Sequence, residues 1–251
     1  MSRFQDRVAL VTGGGSGIGE AISKQLAAEG ASVVVADLSP EAAQRVVDEI
    51  TSAGGTAAAL QMDSSSPADN EKAVSFTVET YGQLNYAVNN AGIGGAQANA
   101  ADVDPQDWRT VMSVNIDGVF YGMKYQIPEI IKNPTQSAIV NMASIHGAVA
   151  AIGSGAYTAS KHAVVGLTKN AAAEYGGDGL RVNSVGPGYI ATPLLDKHLD
   201  EATKQFLVSK HPLGRLGQAQ EVSELVCFLL SDAASFCSGG YYLVDGGYTA
   251  V

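Results

Sequence analysis

Cysteine is nearly absent from this 251-residue chain: Cys227 and Cys237 are the only two, and no Cys-x-x-Cys occurs. That count excludes a disulfide scaffold, and both residues read as small buried hydrophobes. The four histidines are scattered without ligand spacing, so no metal is expected. Basic residues are scarce too: 15 Lys and Arg stand against 25 Asp and Glu, for a formal charge of −10. That balance argues against a nucleic-acid partner and leaves no polybasic patch for a membrane surface. Long apolar runs are missing. The charged start Met-Ser-Arg-Phe-Gln-Asp-Arg leads into a run of only four apolar residues, too short for a signal peptide. Residues 133–160 lack Asp, Glu, Lys and Arg, but the Asn, His, Ser and Gly among them argue against a membrane span. With no repeat, low-complexity tract or linker either, the expectation is one cytoplasmic domain spanning 1–251.

What the chain does have is glycine, 29 residues of it, and a hydrophobic content of 46%, enough for one large α/β core. Residues 8–11 form a short apolar run that reads as a strand. Thr12-Gly-Gly-Gly-Ser-Gly-Ile-Gly19 follows at once, then a helical stretch over 20–29. Strand, glycine turn, helix is the opening of a dinucleotide-binding βαβ unit. Glycine lets the backbone approach a pyrophosphate, and a helix N-terminus favours the negative charge. The candidates there are Gly13, Ser16, Gly17, Ile18 and Gly19. Their spacing differs from the common G-x-G-x-x-G.

Residues 32–36 read as the second strand, ending at Asp37, twenty residues after Gly17. A carboxylate at that separation accepts hydrogen bonds from both hydroxyls of an adenosine ribose and repels a 2′-phosphate. No Arg or Lys lies in the glycine loop or just after Asp37, so NAD(H) is expected over NADP(H). Ser39-Pro40-Glu41 supplies a helix cap and a first-turn proline, leaving Asp37 free for that role. A helix is expected over 40–53, a strand over 56–61 and a helix over 67–81. Asp63 either caps the last of these, where Ser66-Pro67 competes, or approaches an adenine.

A fourth strand over 84–88 ends in Asn89-Asn-Ala-Gly92. Asn89 can brace the sheet through its amide, and small Ala91 and Gly92 let a cofactor lie against the backbone. A plain turn is the other reading. A long helix over 107–132 contains Asn115, a poor mid-helix residue, which points to a special role or a core hydrogen bond. Residues 138–143 read as a buried strand with Ser144 at its end. A helix over 156–175 carries Tyr157 and Lys161, four residues apart and so on one face. Hydroxyl, phenol and ammonium then share a crevice and form a device for moving a proton to or from a carbonyl or alcohol. A sixth strand over 180–185 leads to Gly186-Pro-Gly188-Tyr-Ile-Ala-Thr192-Pro, rigid and turn-prone. Residues 194–212 read as a mobile helical lid within a substrate-binding segment 189–212. A helix over 219–230 and a strand over 241–244 close the chain. The alternation implies one doubly wound, Rossmann-type parallel α/β sheet of about seven strands.

Together these motifs resemble the short-chain dehydrogenase/reductase family over essentially the whole chain. Thr12–Gly19 is similar to its Thr-Gly-x-x-x-Gly-x-Gly loop and Asn89–Gly92 to its Asn-Asn-Ala-Gly motif. Asn115, Ser144, Tyr157 and Lys161 match its Asn-Ser-Tyr-Lys tetrad in order, and Pro187, Gly188, Ile190 and Thr192 resemble the segment beside the nicotinamide. The likeness is greatest to bacterial NAD-dependent secondary-alcohol dehydrogenases, also called carbonyl reductases, which are often homotetramers. The resemblance implies Tyr157 as general acid and base, and Lys161 as a phenolate stabiliser that also holds the nicotinamide ribose. It implies Ser144 on the substrate oxygen, and Asn115 holding a water that links Lys161 to solvent. His146, Tyr189 and Phe206 are expected to line the substrate, a small ketone or secondary alcohol; a satisfied loop histidine is the other reading of His146. Two competing expectations are a 3-oxoacyl thioester reductase of the same family and a nucleotide-sensing subunit without catalysis. An acidic chain lacks the basic patch a carrier protein would want, and a pure binder has no use for Tyr157 and Lys161 together.

Overall fold

A computed structural model describes residues 2–133, 137–192 and 201–251. Seven strands form one parallel sheet: β1 (Val8–Thr12), β2 (Ser32–Asp37), β3 (Thr56–Gln61), β4 (Tyr86–Asn89), β5 (Ser137–Met142), β6 (Leu180–Pro187) and, last in the chain, Tyr241–Val244. Two short strands, β7 (Ile190–Ala191) and β8 (Gly217–Gln218), pair separately, which makes the last one β9. The order β3-β2-β1-β4-β5-β6-β9 reverses direction between β1 and β4. In a doubly wound sheet a ligand crevice opens at that reversal, beyond the carboxyl ends of the strands.

The sheet is apolar on both faces because helices cover both. Side chains alternate along each strand. Ala9, Val11, Val33, Val35 and Val140 point to one layer, packed with Ile22, Leu26, Val46, Val226 and Leu230. Leu10, Val34, Ala87, Ile139 and Val182 point to the other, packed with Val74, Met123, Ile127 and Val164. The first layer holds α1 (Gly17–Ala28), α2 (Pro40–Ser52) and α8 (Ala219–Leu230). The second holds α3 (Pro67–Tyr81), α5 (Gly118–Ile130) and α6 (Gly155–Tyr175). Each fully buried aliphatic side chain contributes roughly 1.5–3 kcal/mol.

Local chemistry sets the helix starts. The Ser39 hydroxyl accepts from Ala42 N and the Ser66 hydroxyl from Asp69 N, each with proline in the first turn. Asp63 is therefore not the cap of α3; its Oδ1 accepts from Ser65 N at 2.9 Å. The expected long helix over 107–132 begins earlier, at α4 (Pro105–Met112), because the Asp104 carboxylate caps it through Gln106 N. It then passes through a π-helical turn, Ser113–Asp117, before α5. Of the lid, α7 (Glu201–Ser209) is seen, while Leu194, Leu195 and Leu199 lie outside the described residues. Among the described residues no helix is long and apolar enough to cross a membrane, and no group of three His, Cys, Asp or Glu side chains has metal-binding geometry. Cys227 is buried, Cys237 half-buried, and both are free.

Candidate active site

The glycine loop closes the mouth of β1. Gly14 N donates to Ala36 O at 3.0 Å, and Gly15 N to Asp37 Oδ2 at 2.9 Å. Asp37 Oδ1 accepts from Ser39 N at 3.0 Å. The acid is thus not free, since it braces the loop; each oxygen still has a lone pair to offer a ribose. Gly17 has φ +54°, where a side chain would strain the backbone. A Cβ on Gly19 would sit 2.0 Å from Gly13 O, so only glycine allows the helix to start this close to the turn. Ser16 precedes α1 and makes no side-chain cap bond, so its hydroxyl does not take up the first-turn N–H groups. A cradle of backbone N–H groups at a helix N-terminus, closed to Cβ atoms, fits a pyrophosphate. Arg45 also reaches the loop, donating to Gly15 O at 2.9 Å, a basic neighbour the linear sequence hides. Glu20 and Glu49 pair with the same guanidinium.

Two further residues hold this cradle. Thr12 Oγ1 accepts from Asn90 N at 3.0 Å and Ala91 N at 3.2 Å. Asn90 Nδ2 returns bonds to Thr12 O and Gly13 O, each at 3.1 Å. Neither residue was among the sequence candidates, although both lie inside the quoted motifs. The Asn89 side chain turns away from the crevice into a buried amide network. It donates to Asn141 Oδ1 at 2.9 Å and accepts from Gln126 Nε2 at 2.8 Å. Across the mouth, Gly188 N donates to Val244 O at 3.0 Å and Ile190 is buried. Thr192 Cγ2 lies 3.5 Å from where a Gly17 Cβ would stand, so the two banks face each other.

The proton-transfer candidates converge beyond β5. Ser144 is buried in extended backbone, and its carbonyl accepts from Gly147 N at 2.8 Å and from the Tyr241 hydroxyl. Tyr157 is half-buried in the first turn of α6, and its phenol lies near enough to the Ser144 side chain for that hydroxyl to favour the phenolate. Burial pushes that phenol's pKa up, and the nearby Ser144 hydroxyl pulls the other way. One turn on, buried Lys161 donates from Nζ to Met142 O at 2.8 Å and lies 5.5 Å from the centroid of the Tyr157 ring. Burial lowers its pKa from 10.5 to about 8. Gly92 touches both neighbours of this pair: a Cβ there would be 3.3 Å from Asn115 Oδ1 and 3.4 Å from Lys161 Nζ. Asn115 sits in the π turn, a device common at functional sites. Its amide accepts from Ile93 N and donates to Ile93 O, both at 2.9 Å, and donates to Ser160 Oγ at 3.1 Å.

Aromatic rings line one side. His146 stands perpendicular to Tyr157 at 5.7 Å and at 78° to Tyr189 at 6.2 Å. His211 packs on Tyr189 and Tyr248, accepts from Tyr189 N at 3.3 Å through Nε2, and bonds Leu207 O through Nδ1 at 2.8 Å. Tyr189 and His211 also border a pocket of about 280 Å³. Phe206 is not brought to this cluster. The turn of α7 buries Leu207 instead and leaves Phe206 57% exposed under the Lys210 ammonium.

Comparison with known proteins gives a consistent picture. Residues 13–249 match the sequence model of the family described as enoyl-(acyl carrier protein) reductase. The chain is 49% identical to the cyclohexanol dehydrogenase of Acinetobacter sp. (strain SE19) over 249 residues, covering 99% of this chain and 97% of the relative. It is 42% identical to the 2,5-dichloro-2,5-cyclohexadiene-1,4-diol dehydrogenase of Sphingobium indicum (strain B90A) over 253 residues, covering all of both chains. The crystal structure of levodione reductase superposes with a TM-score of 0.94 at 35% identity, covering 99% of each chain.

Proposed function

This chain belongs to the short-chain dehydrogenase/reductase family, whose dehydrogenases use a nicotinamide cofactor, and on that premise we propose that it interconverts a ketone and a secondary alcohol with NAD(H). The observation that carries the reading is the meeting of Ser144, Tyr157 and Lys161 beside the Gly92 backbone, with Asn115 behind them. The names of the relatives, a cyclohexanol dehydrogenase and a cyclohexadiene-diol dehydrogenase among them, favour a small cyclic alcohol or ketone.

In reduction the Ser144 hydroxyl holds the substrate oxygen and the Tyr157 phenol donates its proton to it. A phenol whose pKa burial has raised stays protonated at neutral pH, which suits an acid. In oxidation Tyr157 takes the proton back, and the Lys161 ammonium favours its phenolate. Met142 O uses one of the three ammonium donors, which leaves others for a ribose hydroxyl and a water. The Asn115 amide ties the loop after β4 to the second turn of α6, at Ser160, and so fixes the distance between the two banks. A second acceptor site on its Oδ1 can hold the water that refills Lys161. A bound nicotinamide would supply the hydride chemistry, and its oxidised form would bring a positive charge that favours the phenolate.

Gly13, Ser16, Gly17, Ile18 and Gly19 would hold the pyrophosphate. Asp37 would hold the adenosine ribose, and Asp63 would lie towards the adenine. Ala91, Gly92, Pro187, Gly188, Ile190 and Thr192 would wall the nicotinamide. Asn89 would act from behind, through the buried amide network that stiffens β4. Asp37 supports NAD(H) because its charge opposes a 2′-phosphate and Arg45 is already neutralised. The test is paired. Tyr157→Phe should abolish turnover with cofactor binding intact, and kcat/KM should favour NADH over NADPH. Undiminished turnover in the variant removes Tyr157 from its role; an NADPH preference removes the reading of Asp37. The matched family's description names an acyl-carrier substrate, so a 3-oxoacyl thioester belongs in the same assay. Faster turnover of that thioester than of simple ketones would replace the small-alcohol reading.

A homotetramer in the cytoplasm completes the proposal. Trp108 and Phe120 stay exposed on α4 and α5, and Phe236 is fully exposed near β9, the open edge of the sheet. Such surfaces want a partner. Light scattering at a monomer mass would remove the tetramer.

A further inference from the structure

One buried side chain beside Tyr157 has no hydrogen-bond partner among the described residues. His146 is 6% exposed, and among the described residues neither Nδ1 nor Nε2 has a hydrogen-bond partner. Partnerless buried polar atoms are rare in folded proteins and call for an explanation. The ring is fixed by its backbone and by stacking, not by its own nitrogens. The 3₁₀ turn Ile145–Gly147 follows Ser144 directly and is closed by the bond from Gly147 N to Ser144 O. Edge-on contacts with Tyr157 and Tyr189 hold the imidazole between the proton-transfer group and the lid-side aromatics. Burial, with a smaller push from His162, keeps its pKa below the usual value. The ring is therefore neutral at pH 7 and offers one N–H donor and one bare nitrogen acceptor.

We propose that His146 is a specificity-determining residue that hydrogen-bonds a second oxygen on the substrate, so that diols, hydroxyketones and diones are preferred to simple secondary alcohols. This deepens the function proposed above and rests on it. With 5.7 Å between the Tyr157 and His146 ring centres, one small molecule can present an oxygen to each. A neutral ring with both capacities suits an uncharged hydroxyl or carbonyl; an anionic second group would want a cation there. A substrate with only C–H groups at this point leaves both nitrogens unpaired, and that penalty is how a site rejects the analogue lacking an oxygen.

The experiment measures kcat/KM for cyclohexanol and for the cyclohexane-1,2-, 1,3- and 1,4-diols in wild type and His146→Phe. In wild type at least one diol should exceed cyclohexanol by tenfold or more, beyond the factor of two owed to a second equivalent hydroxyl. That tenfold is about 1.4 kcal/mol. In the variant the diol-to-cyclohexanol ratio should fall by tenfold or more. His146→Leu, which is smaller, repeats the test should Phe overpack the site. A wild type that prefers none of the diols, or a ratio unchanged in a folded variant, overturns the assignment of His146 while leaving the dehydrogenase reading in place. Absence of turnover with all four alcohols and their ketones overturns both.

Discussion

Lys161 is a buried cation whose removal should stabilise the protein while destroying its activity. Burial alone moves its pKa from 10.5 to about 8, a gap that corresponds to roughly 3 kcal/mol. A lysine whose folded pKa lies below its unfolded value binds fewer protons in the folded state between those values. Stability therefore rises as the pH climbs from about 8 to 10.5, and the full cost is carried below that window. Lys161→Met keeps the length of the side chain and removes the charge. It also leaves Met142 O without the ammonium's bond, a loss of about 1 kcal/mol. The variant should thus be about 2 kcal/mol more stable than wild type at pH 7, and that advantage should shrink steadily towards pH 10.5. Urea unfolding of both cofactor-free proteins, at one protein concentration and over pH 7–10.5, gives the difference. Other titrating groups cancel in it. Turnover of the variant should fall by roughly 10²–10⁴. A variant less stable than wild type at pH 7, or a difference that stays flat with pH, would mean that the ammonium is not desolvated. The account of the site as a place where stability is given up for function would then fail.

Thr12→Val removes the hydroxyl that accepts from both Asn90 N and Ala91 N. Denaturant unfolding should show a loss of roughly 1–3 kcal/mol, and calorimetric titration should show weaker NADH binding. Asp37→Asn should shift the kcat/KM ratio towards NADPH by roughly ten- to a hundred-fold, because a charge about 4 Å from a phosphate is worth up to ~4 kcal/mol before screening; an unmoved ratio would detach Asp37 from cofactor choice. Arg181→Leu should lower Tm by more than about 5 °C. Its guanidinium donates to Leu229 O, Leu230 O, Ser231 O and Cys237 O and so closes the carboxyl end of α8, where a cation is also favoured by the helix dipole.

Most of the fold was legible because its signals are local. The strand Thr56–Gln61 and the helices Pro67–Tyr81 and Ala219–Leu230 lie where the residues placed them. Ser66 with Pro67 fixes one start, and a reciprocal Gln218–Glu221 capping box fixes another. Alternation could not be read in strands covered on both faces, and their apolar runs stood in for it. What escaped notice was tertiary. The β7–β8 pair joins residues 27 or so apart with two-residue strands that leave almost no pattern. Phe206 is expected at the substrate as part of the lid, yet α7 buries Leu207 instead, and one residue along a helix turns a side chain by about 100°.

The site shows the same division more sharply. Order and spacing could name Asn115, Ser144, Tyr157 and Lys161, because each sits at a strand end or on a shared helix face. They could not say that Asn115 stands in a π turn. A polar residue inside a helical pattern is compatible with either a core bond or a kink, and only the partners decide. Here Ile93 and Ser160 are those partners, on the loop after β4 and on α6, so one side chain spans both banks of the crevice. His146 is the converse case. A loop histidine two residues past Ser144 reads either as satisfied or as lining the substrate, and nothing in the sequence says that both nitrogens end buried without a partner among the described residues. Satisfaction of polar atoms is a property of what surrounds them. For His146 the surroundings are two aromatic rings and no hydrogen-bond partner among the described residues, and that setting is what the choice of substrate answers to.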